Sequence, residues 1–74
     1  MHSYYFTLSI KYDFCEQFYQ PGVNTVIMTD DNGKRIQLPV LNLRPFVSPT
    51  GIKGRFRLVV DNNNKLQSFE KISN

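Results

Sequence analysis

Apolar and polar residues alternate strictly from Tyr4 to Ile10. Tyr4, Phe6, Leu8 and Ile10 fall on one face of an extended chain, with Tyr5, Thr7 and Ser9 on the other. Period two with aromatic and β-branched residues predicts a strand with one buried face. The period changes over residues 12–20. Phe14 and Phe18 are four apart, as are Cys15 and Tyr19, a spacing that stacks side chains on adjoining rows of a helix. Asp13 with Glu16 three positions on resembles a capping box, and Pro21-Gly22 is a stop. Such a helix has two to three turns and is marginal alone in water, so it must dock on a sheet.

Residues 23–29, Val-Asn-Thr-Val-Ile-Met-Thr, read as a second strand. Asp30-Asp31-Asn32-Gly33 is a tight-turn signal, because Asn-Gly tolerates the positive φ that hairpin turns require. Residues 34–38 form the return strand, with Ile36 and Leu38 inward and Arg35 and Gln37 outward; Pro39 ends it or marks an edge. Residues 40–54 are irregular. Pro45 and Pro49 break regular structure, Leu41, Leu43 and Phe46 are candidate anchors to the core, and Ser48-Pro49-Thr50-Gly51 reads as a turn. A strand over 54–60 places Phe56, Leu58 and Val60 on one face and Arg55, Arg57 and Val59 on the other. Asp61-Asn62-Asn63-Asn64 is another turn. In the last segment, 65–72, Leu66, Phe69 and Ile72 do not share one strand face; a bulge reconciles them, and a terminal helical turn is the alternative.

The order β-α-β-β-β-β predicts a small single α+β domain over residues 1–74. It has one largely antiparallel sheet of about five strands, curled toward a small barrel, with one short helix in the N-terminal half covering it.

Composition narrows the chemistry. The chain has 74 residues, so one domain is the limit, and 41% hydrophobic residues exceed what a disordered chain carries. No apolar run approaches the roughly 18 residues a membrane span needs. Cys15 and His2 are the only cysteine and histidine. They offer no intramolecular disulfide, no Cys/His zinc set and no cofactor motif, so stability is expected from aromatic packing and self-association. Met1-His2-Ser3-Tyr4-Tyr5 has no basic leader region; with one unpaired cysteine this points to a reducing, cytoplasmic setting.

Catalysis is not expected. A nucleophilic arrangement would have to use His2 at a frayed terminus, and Cys15 within an aromatic helix reads as a small buried hydrophobe. The carboxylates have turn and capping work. Asp30-Asp31-Asn32-Gly33 lacks the ligand spacing of a calcium loop. Gly51-Ile52-Lys53-Gly54 is no phosphate loop, because it opens a strand rather than a helix.

Charge is more informative. The formal net charge is +3. Lys34, Arg35, Arg44, Lys53, Arg55 and Arg57 lie within residues 34–57, where there is no Asp or Glu, and the rest of the chain is net acidic. Two readings follow. One is a solvated face that keeps a small sheet soluble and guards its edges. The other is a binding surface made by these six residues for nucleic acid or an acidic protein, with Tyr5 or Tyr19 adding stacking. A different alternative is a structural or adaptor protein acting by self-association or protein docking. It is motivated by seven of the ten aromatics lying in the first 19 residues.

Arg35-Ile36-Gln37-Leu38-Pro39, Leu43-Arg44-Pro45-Phe46 and the run from Gly51 to Leu58 resemble a family of short, uncharacterised bacterial proteins, a domain of unknown function. The Tyr-rich opening strand and the strand after Asp61 extend the resemblance over nearly the whole chain. It implies a stand-alone, cytoplasmic bacterial protein and brings no site residues with it. Within the motif, Leu43 and Phe46 suit packing at a corner stiffened by Pro45. The functional alternative is that this corner presents the Arg44 guanidinium to a ligand.

Overall fold

Strict alternation in the first segment produces strand β1 (His2–Ile10) in a computed structural model that describes residues 1–74. Phe6 and Leu8 are buried and Tyr4 and Ile10 half-buried, while Tyr5, Thr7 and Ser9 face out. β1 pairs antiparallel with β4 (Ile52–Val60) along its whole length, from His2 opposite Val60 to Ile10 opposite Ile52. β4 pairs in turn with β5 (Leu66–Ser73), giving a three-stranded sheet in the order β1-β4-β5. β2 (Thr25–Thr29) and β3 (Arg35–Pro39) form a separate two-stranded hairpin. The α+β class and five antiparallel strands stand as expected. The strands divide between two sheets, however, and neither closes into a barrel.

β4 is the central strand and alternates most sharply: Ile52, Gly54, Phe56, Leu58 and Val60 are all buried. The final strand uses the bulge and not the helical turn. Its register shifts between Val59 and Val60, leaving Gln67 unpaired, so Leu66 opposes Val60 while Phe69 opposes Leu58. One extra residue thus brings Leu66 and Phe69 onto the same face.

The two strand-connecting Asp turns share one construction. Asp30 N–H donates to Lys34 O and Gly33 N–H to Asp30 O; Asp61 N–H donates to Lys65 O and Asn64 N–H to Asp61 O. In each, the leading aspartate Oδ1 accepts two backbone N–H groups, from Asn32 and Lys34 or from Asn63 and Lys65. The fourth residue has positive φ, 84° at Gly33 and 61° at Asn64. These are three-residue loops with a left-handed fourth position rather than two-residue turns. The Ser48–Gly51 turn is tighter, with reciprocal 2.9 Å backbone hydrogen bonds between those two residues.

The helical parts depart most from expectation. Residues 12–19 split into α1 (Tyr12–Cys15) and a 3-10 turn (Glu16–Tyr19), and Gln20 is already extended. Lys11 occupies the N-cap without a side-chain bond, and Asp13 sits inside the first turn rather than capping it. Tightening toward three residues per turn buries Cys15 and Phe18, three apart, and leaves Phe14 outside. The stretch expected to be irregular contains α2 (Val40–Leu43) and a 3-10 turn (Arg44–Phe46). Pro39 precedes α2 as its N-cap, where no N–H is needed. Val40 and Leu43 are the buried pair, and Leu41, expected as an anchor, points outward at 68% exposure. The core comprises twelve buried apolar residues drawn from both sheets and both helical segments.

Gly51 sits where the chain presses against the end of β1. Its φ is 106°, and a Cβ there would lie 1.9 Å from the Ile10 carbonyl oxygen. At Gly33 the φ is also positive but the surroundings are open. Gly33→Ala is therefore expected to cost about 1 kcal/mol from backbone strain alone. Gly51→Ala is expected to cost about 3 kcal/mol or more, because the clash is with backbone that cannot yield. Urea denaturation of the two variants checks this ordering.

Candidate functional site

The six basic residues of segment 34–57 are distributed over three settings. Lys53, Arg55 and Arg57 alternate along β4 and share the outer face of the three-stranded sheet, opposite Ser9, Thr7 and Tyr5 of β1. No helix covers this face. Arg55 Nη2 lies 3.3 Å from Asp31 Oδ2, and its guanidinium sits 5.1 Å from the Tyr5 ring centre. Arg57 pairs with Glu70, its direct cross-strand neighbour on β5. The hydrogen bond to Glu70 and its charge, with a smaller contribution from Tyr5 Oη as acceptor, push the Arg57 pKa upward against desolvation. Both guanidiniums are partly neutralised by carboxylates from outside the basic segment.

Arg44 is used structurally. Its Nε donates to Phe18 O at 2.8 Å and its guanidinium lies 5.3 Å from the Tyr19 ring centre. Tyr19 Oη donates back to Arg44 O at 3.4 Å. The corner at Pro45 thus fastens α2 to the 3-10 turn that follows α1. Lys34 and Arg35 sit at the start of β3. Lys34 Nζ is 5.0 Å above the Tyr4 ring and 3.4 Å from its hydroxyl. Neither Lys34 nor Arg35 pairs with a carboxylate, since the ion pairs are Arg55–Asp31 and Arg57–Glu70.

A groove of about 450 Å³ opens beside these two residues. One wall is Lys34 and β3, from Arg35 to Pro39, and the floor is Leu58, Val60 and Leu66 on the inner face of the large sheet. Sequence pattern did not reveal it, because it depends on how the small hairpin lies across the sheet.

No three His, Cys, Asp or Glu side chains gather in a metal-binding group. Cys15 is fully buried, with its Sγ 4.0 Å from Ile10 O. Burial pushes its thiol pKa up, outweighing a backbone hydrogen bond from Ile52. The aromatics are more revealing. Of the seven in the first 19 residues, Phe6 and Phe18 are fully buried and Tyr4 half-buried. Tyr12, Phe14 and Tyr19 are 44%, 59% and 53% exposed, all from one eight-residue helical stretch. Tyr12 and Tyr19 line a shallow hollow with Val47 and Pro49.

Two outcomes test these assignments. Arg44→Ala is expected to destabilise the fold by about 1–2 kcal/mol, through the lost hydrogen bond and ring contact, as measured by thermal or chemical unfolding. Cys15 is expected to resist a thiol reagent in the native state and to react on unfolding. A raised native pKa contributes stability that is present below the thiol's ordinary value of 9.0 and is lost as pH rises through the native value. Cys15→Ala should therefore flatten the fall in stability at alkaline pH.

The chain belongs to the family described as "Protein of unknown function (DUF2835)", whose model matches residues 2–72. No curated protein and no solved structure matches it.

Proposed function

We propose that this member of the DUF2835 family is a non-enzymatic binding module that acts by self-association through its helical layer. The observation that carries the reading is the exposure of Tyr12, Phe14 and Tyr19 together, beside a core that is complete without them. Three aromatics from eight residues are an unusual load for a solvated surface, and rings are the side chains that gain most from burial at an interface. Leu41 adds apolar surface on α2, which packs beside the same 3-10 turn. Lys11 and Arg44 balance Asp13 and Glu16 around this stretch. Two copies meeting about a two-fold axis would therefore bring apolar rings together without net charge repulsion. A domain this small also gains stability from association.

A second reading, contact with nucleic acid or an acidic partner, draws support from the uncovered outer sheet face. There Tyr5 lies between Arg55 and Arg57, with Lys53 on the same strand. Aromatic and arginine groups on an open antiparallel sheet are the elements single-strand binders use. A bacterial, cytoplasmic setting is part of the overall reading; its support is the family resemblance and the single unpaired cysteine.

Sedimentation equilibrium tests the first reading. A concentration-dependent dimer is expected, and Phe14→Lys should weaken it about tenfold or more without changing the circular dichroism spectrum. A strict monomer at the highest soluble concentration overturns it. For the second reading, anisotropy with labelled RNA and DNA oligomers should show affinity that falls steeply with salt. Absence of binding at low salt overturns that one.

A further inference from the structure

We propose that the groove beside β3 is a peptide-binding site that takes an extended acidic segment of another protein as an added strand. All five β3 residues, Arg35 to Pro39, line it, although successive residues point to opposite faces of a strand. A groove touched by both faces runs along the strand's edge. The backbone phase agrees. Asp30 N–H donates to Lys34 O and Val40 N–H to Asn24 O, at the two ends of the β2–β3 ladder. Alternation within an antiparallel pair then directs the Ile36 and Leu38 backbone toward β2 and the Arg35 and Gln37 backbone outward. Those two outward N–H and C=O pairs are the hydrogen-bonding template that an incoming strand reads.

The other edges offer less. β5 is bulged twice and carries Lys71 beside Gly54, devices that discourage pairing. The edge of β1 is occupied in part, because Tyr5 O accepts Asp31 N–H. No residue of β2 lines a cavity.

Floor and rim specify the occupant. Leu58, Val60 and Leu66 give an apolar floor for alternate side chains, and no Asp or Glu lines the groove. Lys34 and Arg35 stand at one end without carboxylate partners. Arg35 lies on the exposed face of β3, where a carboxylate two positions from a floor-facing residue's neighbour would meet it across the added pair. Pro39 closes the opposite end, since it has no N–H to offer. The occupant is thus an extended peptide with alternating aliphatic and acidic side chains. This site is separate from the helical layer, and its failure leaves self-association untouched.

The test uses the full chain and a short capped peptide of alternating valine and glutamate, followed by two-dimensional amide NMR. Binding is expected to shift the amides of residues 34–38, 58–60 and 66 and to slow hydrogen exchange at the Arg35 and Gln37 amides. The double variant Lys34→Glu, Arg35→Glu should lower affinity about tenfold or more. A peptide N-methylated at its pairing amides should lose binding to the unaltered protein, a control that does not depend on any variant folding. No binding at millimolar peptide overturns the proposal. Equal affinity for the N-methylated peptide also overturns it, as does decanoate occupying the groove with no protection of the edge amides while the peptide is excluded.

Discussion

Four phenylalanine rings hold the layers of this domain to one another. Phe56 and Phe69 stack with centres 5.3 Å apart, Phe46 meets both edge-on at 5.1 and 5.9 Å, and Phe6 meets Phe69 edge-on at 6.2 Å. The rings come from β4, β5, the 3-10 turn after α2, and β1. Each ring fixes something the backbone leaves free. Phe6 opposite Phe56 sets the register of the two longest strands. Phe69 needs the bulge at Gln67 to reach the core face, so the irregularity of β5 follows from this contact. Phe46 pins the Pro45 corner, which places Arg44 against Phe18 and Tyr19. With no disulfide and no metal group to share the load, aromatic packing of this kind must do more than its usual part.

Legibility in the sequence tracked the range of the interactions. Alternation at Tyr4–Ile10 and Arg55–Val60 is a local signal, and both strands appear where it points. The turns at Asp30 and Asp61 were also legible, because an aspartate side chain bonding its own backbone is local chemistry. The division into two sheets was not, since which strands pair depends on contacts between remote segments. The helix expected over 12–20 forms over residues 12–19, but with a winding that the spacing did not announce. The Phe14/Phe18 and Cys15/Tyr19 spacings suit 3.6 residues per turn, but a stretch this short adapts to its docking surface, and a tighter winding buried Cys15 with Phe18 instead.

The candidate site was legible as composition and not as geometry. Counting charge along residues 34–57 separated Arg55 and Arg57 from Asp31 and Glu70, which lie on either side of that segment. Folding brought them back together. Arg44 was set within the basic group, yet its nearest partners are a carbonyl and a ring. Lys34, which leans on the Tyr4 ring, and Arg35 have no carboxylate partner and border a groove that no run of residues could announce. The aromatic excess of the first 19 residues was the more durable signal, because a core of this size has limited room and the surplus rings stay outside.

The matched turns at Asp30 and Asp61 bear on the order in which the molecule is assembled. Each joins strands that are neighbours in sequence, so β2–β3 and β4–β5 close over short loops at small entropic cost. The β1–β4 pairing instead joins strands remote in sequence, from His2 with Val60 to Ile10 with Ile52. Contact order is therefore concentrated in a single seam. The two hairpins are elements of the microsecond regime, while the seam that completes the phenylalanine cluster carries the slow, rate-setting loss of chain freedom. Until it closes, β4 has one unpaired flank and β1 none of its partners, and that interval is when the chain is most open to pairing with a neighbour.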